Sequence, residues 1–149
     1  MHTKDANIPE FGTRKPDIEY RIRPGAYGVI EGDRRRIALV RTPGGLFLPG
    51  GGADEGESLE EALIREVLEE CGLSITNGAL IGTADELCVV RGRHVRKRCT
   101  FYHAALSGAA AIPPKELDHE LIWMSPETAL RRLTHESQKW ALGASDLSH

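Results

Sequence analysis

The chain predicts an α+β, or mixed layered, domain, and three observations carry that class. Short apolar runs rich in β-branched residues fill much of the first third, and two longer ones follow in the second half. A helix with start and stop signals at both ends (residues 58–72) separates the two groups. A proline-led helix and a further short helix close the chain. At 149 residues a single domain is the simplest organisation, large enough to bury roughly 70% of its unfolded surface.

Taken in order, residues 1–17 are polar and read as an N-terminal extension expected to be partly disordered, with the domain proper over 18–149. Residues 26–30 and 37–41 are strands on either side of Glu31-Gly32-Asp33, a hairpin signal. Residues 46–48 are a third strand that stops in the turn Pro49-Gly50-Gly51-Gly52, where backbone can approach a ligand closely. Glu57 ends that loop, and Ser58 with Glu61 forms a capping box that opens the helix. Leu59, Ala62, Leu63 and Val67 recur at three- and four-residue spacing as its core-facing stripe. Gly72 follows the last helical residue, where a left-handed cap favours glycine. Residues 79–90 and 96–106 are two longer strands joined around Arg91-Gly92-Arg93, with the basic residues at the tip. Residues 107–117 are a loop and 120–124 a last strand; Ser125-Pro126 then begins a helix to about 133, and a final helix spans about 135–142.

The chemistry sits on the other face of the capped helix. Glu66, Glu69 and Glu70 are related by three- and four-residue spacing, so their carboxylates crowd one surface and repel. Arg65 relieves part of this through a pair with Glu69 but cannot neutralise three acids, whereas a hard divalent cation can. The bland alternative is a solvated acidic helix face. Between Gly51 and Leu73 the acids Asp54, Glu55, Glu57, Glu60, Glu61, Glu66, Glu69 and Glu70 face a single arginine. From Arg91 to Arg98 the charge is all basic.

The spacing Gly51-x5-Glu57-x7-Arg65-Glu66-Val67-x-Glu69-Glu70-x-Gly72-Leu73 fixes seven polar or glycine positions, a coincidence of about one in 10⁸ at any starting point. This segment resembles the signature box of the Nudix hydrolases at every position. The resemblance covers the chain from about residue 23 to 142 and includes, more loosely, the stretch Glu120 to Glu127. It implies a mixed β-sheet held between helices as an α/β/α sandwich. It also implies a magnesium-dependent hydrolase, with manganese as a possible substitute, that cleaves a diphosphate linkage in a nucleoside di- or triphosphate-type substrate. By the same resemblance Glu66, Glu69 and Glu70 hold the metal together with the Gly50 carbonyl, Arg65 orients a glutamate, and Glu57 braces the junction of loop and helix. Metal-assisted attack of water on phosphorus needs a proton acceptor, and Glu66, Glu69, Glu116 and Glu120 are the candidates.

Gly51, Arg41, Arg96 and Arg98 are the candidate substrate-binding residues: Arg41 leads into the glycine turn, and the arginines of the hairpin would steer polyphosphates if the tip folds over the cleft. Tyr27 and Phe47 are candidates for stacking on a base, while Trp123 and Trp140 read as core. His94, His103, His119 and His135 have no metal-ligand spacing, so zinc is not proposed.

The net charge of −3 argues against general nucleic-acid binding, leaving a small nucleotide as partner, or at most a 5′-phosphorylated RNA end. With no apolar run of membrane-spanning length and no signal-peptide core, the expected location is cytoplasmic and no membrane partner is expected. Cys71, Cys88 and Cys99 read as reduced structural thiols. Neither the proline mark of ADP-ribose hydrolases nor the tyrosine mark of dinucleoside polyphosphate hydrolases occurs near residues 87–91, and the compact architecture leans toward nucleoside triphosphates. A homodimer is open, since nothing in the chain marks an interface. A different class of function is a silent nucleotide-sensing or protein-binding domain; such domains commonly break the glutamate set, which is intact here.

Overall fold

The computed structural model describes residues 7–109, 111–115 and 118–148. Its elements run β1 (Glu10–Phe11), β2 (Arg21–Glu31), β3 (Ile37–Thr42), β4 (Gly45–Phe47), β5 (Gly50–Gly52), α1 (Leu59–Cys71), β6 (Ile75–Val90), β7 (Arg93–Leu106), β8 (Glu120–Met124), α2 (Pro126–Arg132) and α3 (Glu136–Ala144). One mixed sheet has the order β1-β6-β7-β2-β3-β4, with β5 added to β2 and β8 to β3. The β2–β7 pair is parallel from Arg21↔Val95 to Glu31↔Ala105, and the long β6–β7 hairpin is antiparallel.

Side-chain alternation along the strands gives the sheet two apolar faces. On one, α1 buries Leu63 and Val67 against Ala26, Ile30, Val40 and Tyr102. On the other, α2 and α3 bring Ala129, Leu133, Ala141 and Leu142 to Val29, Leu39, Leu48 and Phe101. The result is the α/β/α sandwich expected of the fold. Trp140 meets Phe101 edge-on at 6.4 Å between ring centroids, and Trp123 packs against the α1-side cluster. Both tryptophans are half-buried and pack against the core.

Helix α1 begins and ends as its sequence dictates. The Ser58–Glu61 capping box is formed in both directions, and Gly72 closes the helix in the left-handed conformation at φ 69°.

The position of the site follows from one irregularity. Strands β2 and β3 share a single bridge, Glu31↔Ile37, and then splay apart. Strand β5 fits against β2 through Gly25↔Gly52, Ala26↔Gly51 and Tyr27↔Gly50. The glycine segment expected as a turn is thus a short strand, because β2 runs well beyond residues 26–30 and offers it a partner. Pro24 is tolerated within β2, and its carbonyl accepts the Ala53 N–H at 3.1 Å.

The N-terminal extension contributes β1, which lies parallel to β6 with Glu10↔Asp85 and Phe11↔Glu86. Residues 1–6 and Glu116 lie outside the described residues. Cys71, Cys88 and Cys99 are free thiols, and burial pushes Cys71 and Cys99 up to about 12. Among the described residues no helix is long and apolar enough to cross a membrane.

Candidate active site

Arg65, on the outer face of α1, gathers the acids of the loop and helix around one guanidinium. Its Nε donates to Glu57 Oε2 at 2.8 Å, and its Nη2 donates to Glu57 Oε1 and to the Gly52 carbonyl, both at 3.0 Å. Its Nη1 donates to Glu66 Oε1 at 2.7 Å and to Glu69 Oε1 at 3.2 Å. The two-pronged contact with Glu57 is the geometry in which arginine is strongest. Arg65, helped by the Asp54 N–H, holds the Glu57 carboxyl at about 2, far below the usual range. Loop, glycine strand and helix are thereby tied at one point.

Two carboxylates rest on two consecutive glycines. Glu70 Oε1 accepts the Gly50 N–H at 2.9 Å, and Glu66 lies so close to Gly51 that a Cβ there would collide with its carboxylate. Gly50 itself has φ +144° and faces the Ala26 carbonyl and Tyr27, so a side chain is excluded on both counts. The other oxygen of Glu70 is 3.2 Å from His119 Nδ1. His119 is brought there by the loop after β7, which docks on the end of α1 through Ile112 N–H to Gly72 O and Lys115 N–H to Glu69 O, each 2.9 Å.

A cleft of about 390 Å³ opens beside these carboxylates, within the size range of small-molecule sites. Gly50, Gly51, Gly52, Glu70 and His119 line it. Tyr27, Phe47, Leu48, Cys99, His135 and Gln138 line it as well, and Arg23 and Lys97 add positive charge. Phe47 and His135 stand ring against ring at 5.1 Å, and Tyr27 lies 5.9 Å from Phe101. Burial pushes the His135 imidazole below its ordinary value, against the pull of Glu86, whose Oε2 lies 4.0 Å away.

Among the expected substrate-binding residues, the structure corrects the placement of two. Arg96 and Arg98 are neither at the hairpin tip nor on the cleft. Both bond the buried Asp85 carboxylate, Arg96 Nε at 2.6 Å and Arg98 through Nε and Nη2 at 3.0 Å each. The reason is strand alternation: Lys97, between them, shares its face with the buried Val95, Cys99 and Phe101, and that face meets the cleft. Arg41 and Glu120 are partners across β3 and β8, 3.6 Å apart and largely exposed. Each is one residue from a cleft-lining side chain, Thr42 and His119. Arg23 and Gln138 were not singled out from the sequence, and His119 and His135 were noted there only as lacking metal-ligand spacing. Only Lys97 had a usable signal, its phase with the apolar residues of β7.

The residues suit a hard divalent cation. The donors are carboxylate oxygens and a backbone carbonyl, the glycine cradle leaves no room for a Cβ, and the acids around Arg65 outnumber it. Among the described residues no three His, Cys, Asp or Glu side chains already form a metal-holding group. Magnesium rarely needs one, since it keeps several waters and is shared between one or two carboxylates and substrate phosphates.

The family pattern described as the NUDIX domain matches residues 21–143. A putative 8-oxo-dGTP diphosphatase of Bacillus subtilis is 31% identical over 104 residues, covering 68% of this chain and 66% of that protein. A MutT NUDIX hydrolase from Burkholderia pseudomallei aligns with TM-score 0.61 and 27% identity, over 83% of this chain and 98% of that one. The fold also matches a MutT protein from Methanosarcina mazei Go1, with TM-score 0.68 and 22% identity, over 85% of this chain and 94% of that one.

Proposed function

The chain belongs to the Nudix hydrolase family, and from that premise we propose that it is a magnesium-dependent pyrophosphohydrolase that cleaves a diphosphate linkage in a nucleoside triphosphate-type substrate. The observation that carries this reading is the pair of carboxylates seated on consecutive glycines, Glu70 on Gly50 and Glu66 on Gly51, at the edge of a cleft with aromatic walls. The diphosphatase from Bacillus subtilis supports a nucleotide as substrate. So do Tyr27 and Phe47, which give a base something to stack on.

Glu66, Glu69, Glu70 and the Gly50 carbonyl are the oxygen donors that would hold the cation, with manganese as a substitute. Such a cation, once bound, neutralises charge developing on the diphosphate and acidifies the water beside it. The protein's own contribution is orientation. Arg65 fixes Glu57, Glu66 and Glu69, while Gly50 N–H and His119 meet the two oxygens of Glu70. Arg23 and Lys97 draw the polyphosphate into the cleft. The proton of the attacking water passes to a carboxylate; of Glu66, Glu69 and Glu120, Glu120 is the least engaged, with Arg41 at 3.6 Å as its ion-pair partner among the described residues.

The test is a substrate panel with purified protein and magnesium: canonical and oxidised nucleoside triphosphates, ADP-ribose, dinucleoside polyphosphates and 5′-triphosphate RNA, with Glu70→Gln as control. Magnesium-dependent release of phosphate or pyrophosphate, lost in the control, is the expected result. Nucleotide binding with silence across the panel would replace the hydrolase with a sensing domain.

A further inference from the structure

We propose that Gln138 reads the base of the substrate as a hydrogen-bond donor, so that the cleft selects bases presenting a carbonyl over bases presenting an amino group. This rests on reading the cleft as a nucleotide site. Gln138, on α3, is 2% exposed and lines the cleft. Its Oε1 accepts the Leu48 N–H at 2.8 Å. Chemistry alone fixes the amide orientation there, because a backbone N–H only donates and the atom facing it must be the oxygen. Nε2 is therefore turned the other way, with no acceptor for it among the described residues. Nor is it among the described polar atoms that lack both a partner and solvent, so an Nε2 without an acceptor retains some exposure. On a side chain this buried, the opening that reaches Nε2 is the cleft.

The surroundings favour the same polarity. Lys97, which also lines the cleft, can only donate. The nearby acid, Glu86, has one oxygen committed to the Ser137 N–H of α3 at 3.0 Å and the other beside His135. The anchors of Gln138 and Glu70, Leu48 N–H and Gly50 N–H, are two residues apart, at most about 7 Å along the chain. The amide thus looks into the same cleft as Glu70, one of the carboxylates that would hold the cation, and Phe47 lines that cleft too. A base carbonyl complements that donor, whereas an exocyclic amine would leave two donors facing each other.

The experiment compares pairs that differ chiefly at that group, inosine against adenosine and uridine against cytidine nucleotides. Triphosphates are scored by kcat/KM with magnesium, and monophosphates by calorimetric binding without it. The expected wild-type preference for the carbonyl member is about 10- to 100-fold. In Gln138→Glu, one oxygen still accepts from Leu48 N–H and the other presents an acceptor, so the preference should invert. A preference unchanged in Gln138→Glu, or no discrimination by the wild type, overturns the proposal. The wild-type comparison decides even if the variant folds poorly. Discrimination in binding without any hydrolysis would sink the hydrolase reading and leave this one standing, and hydrolysis without discrimination would do the reverse.

Discussion

Among the described residues, the arginine–carboxylate clusters around Arg65 and Asp85 differ in charge balance, and the difference separates a candidate site from a strut. Around Arg65, a single guanidinium meets Glu57, Glu66 and Glu69, with Glu70 close by on Gly50. Around Asp85 the ratio is reversed: one carboxylate takes Arg96 and Arg98, and Glu10 adds a second acid 3.7 Å from Arg96. The first cluster retains excess negative charge at the edge of a cleft, which suits the cation proposed there. The second is close to neutral and closed, since Asp85 has no exposure, and it fastens the N-terminal segment to β6. Partly buried charge that is left over asks for a ligand; charge that is matched holds elements together.

Removing one charge from each cluster should therefore give different phenotypes. Glu70→Gln keeps an oxygen for the Gly50 N–H but loses a charge that the proposed cation would need. Turnover with magnesium should fall by about 10²- to 10⁴-fold with a melting temperature near wild type. Near-normal turnover would remove Glu70 from the metal site. Asp85→Ala strands two guanidiniums that are only 16% and 23% exposed. The expected cost is about 3 kcal/mol, at the low end for breaking a buried pair, or a melting temperature lower by roughly 10 °C. Turnover per folded molecule at low temperature should stay close to wild type, and a large loss there would make the second cluster part of the site after all.

A subtler contrast separates neighbours within β7. Lys97→Met should raise KM about three- to tenfold and weaken its dependence on salt, because Lys97 faces the cleft. Arg98→Met should lower stability and leave the salt dependence of KM alone, since its partner is Asp85. Equal effects on KM would mean that the basic run acts as a diffuse field, with no part for strand phase.

Strand phase is also where the sequence was hardest to read. Helix α1 was legible because its signals are local: a capping box, four-residue spacing and a glycine stop all lie within 58–72. The acidic face followed from the same period. Whether residues 50–52 form a turn or a strand depends on a partner in β2, which no local pattern reveals. Gln138 meets Leu48 across 90 residues of chain, and His119 reaches Glu70 only because the loop after β7 docks on α1. Arg96 and Arg98 were chosen for charge alone, although the apolar phase of Val95, Cys99 and Phe101 singles out Lys97 as the residue on the inner face.

The smallest effect tests how the first cluster is held. Arg65 keeps the Glu57 carboxyl at about 2 in the folded protein, against an ordinary value of 4.5. A carboxyl depressed on folding favours the folded state fully above its unfolded value, and that contribution fades as pH falls through its folded one. The stability difference between wild type and Glu57→Gln should therefore be constant near neutrality, shrink between about pH 4.5 and about pH 2, and vanish below, as read from melts of both proteins across that range. Arg98→Met supplies the control for general acid unfolding, because Arg98 has no contact with Glu57 among the described residues and should not alter that difference. A difference that persists below pH 2 would mean that Glu57 braces the loop through packing and its bond to Asp54 N–H, and that the charge on Arg65 is held mainly by Glu66 and Glu69.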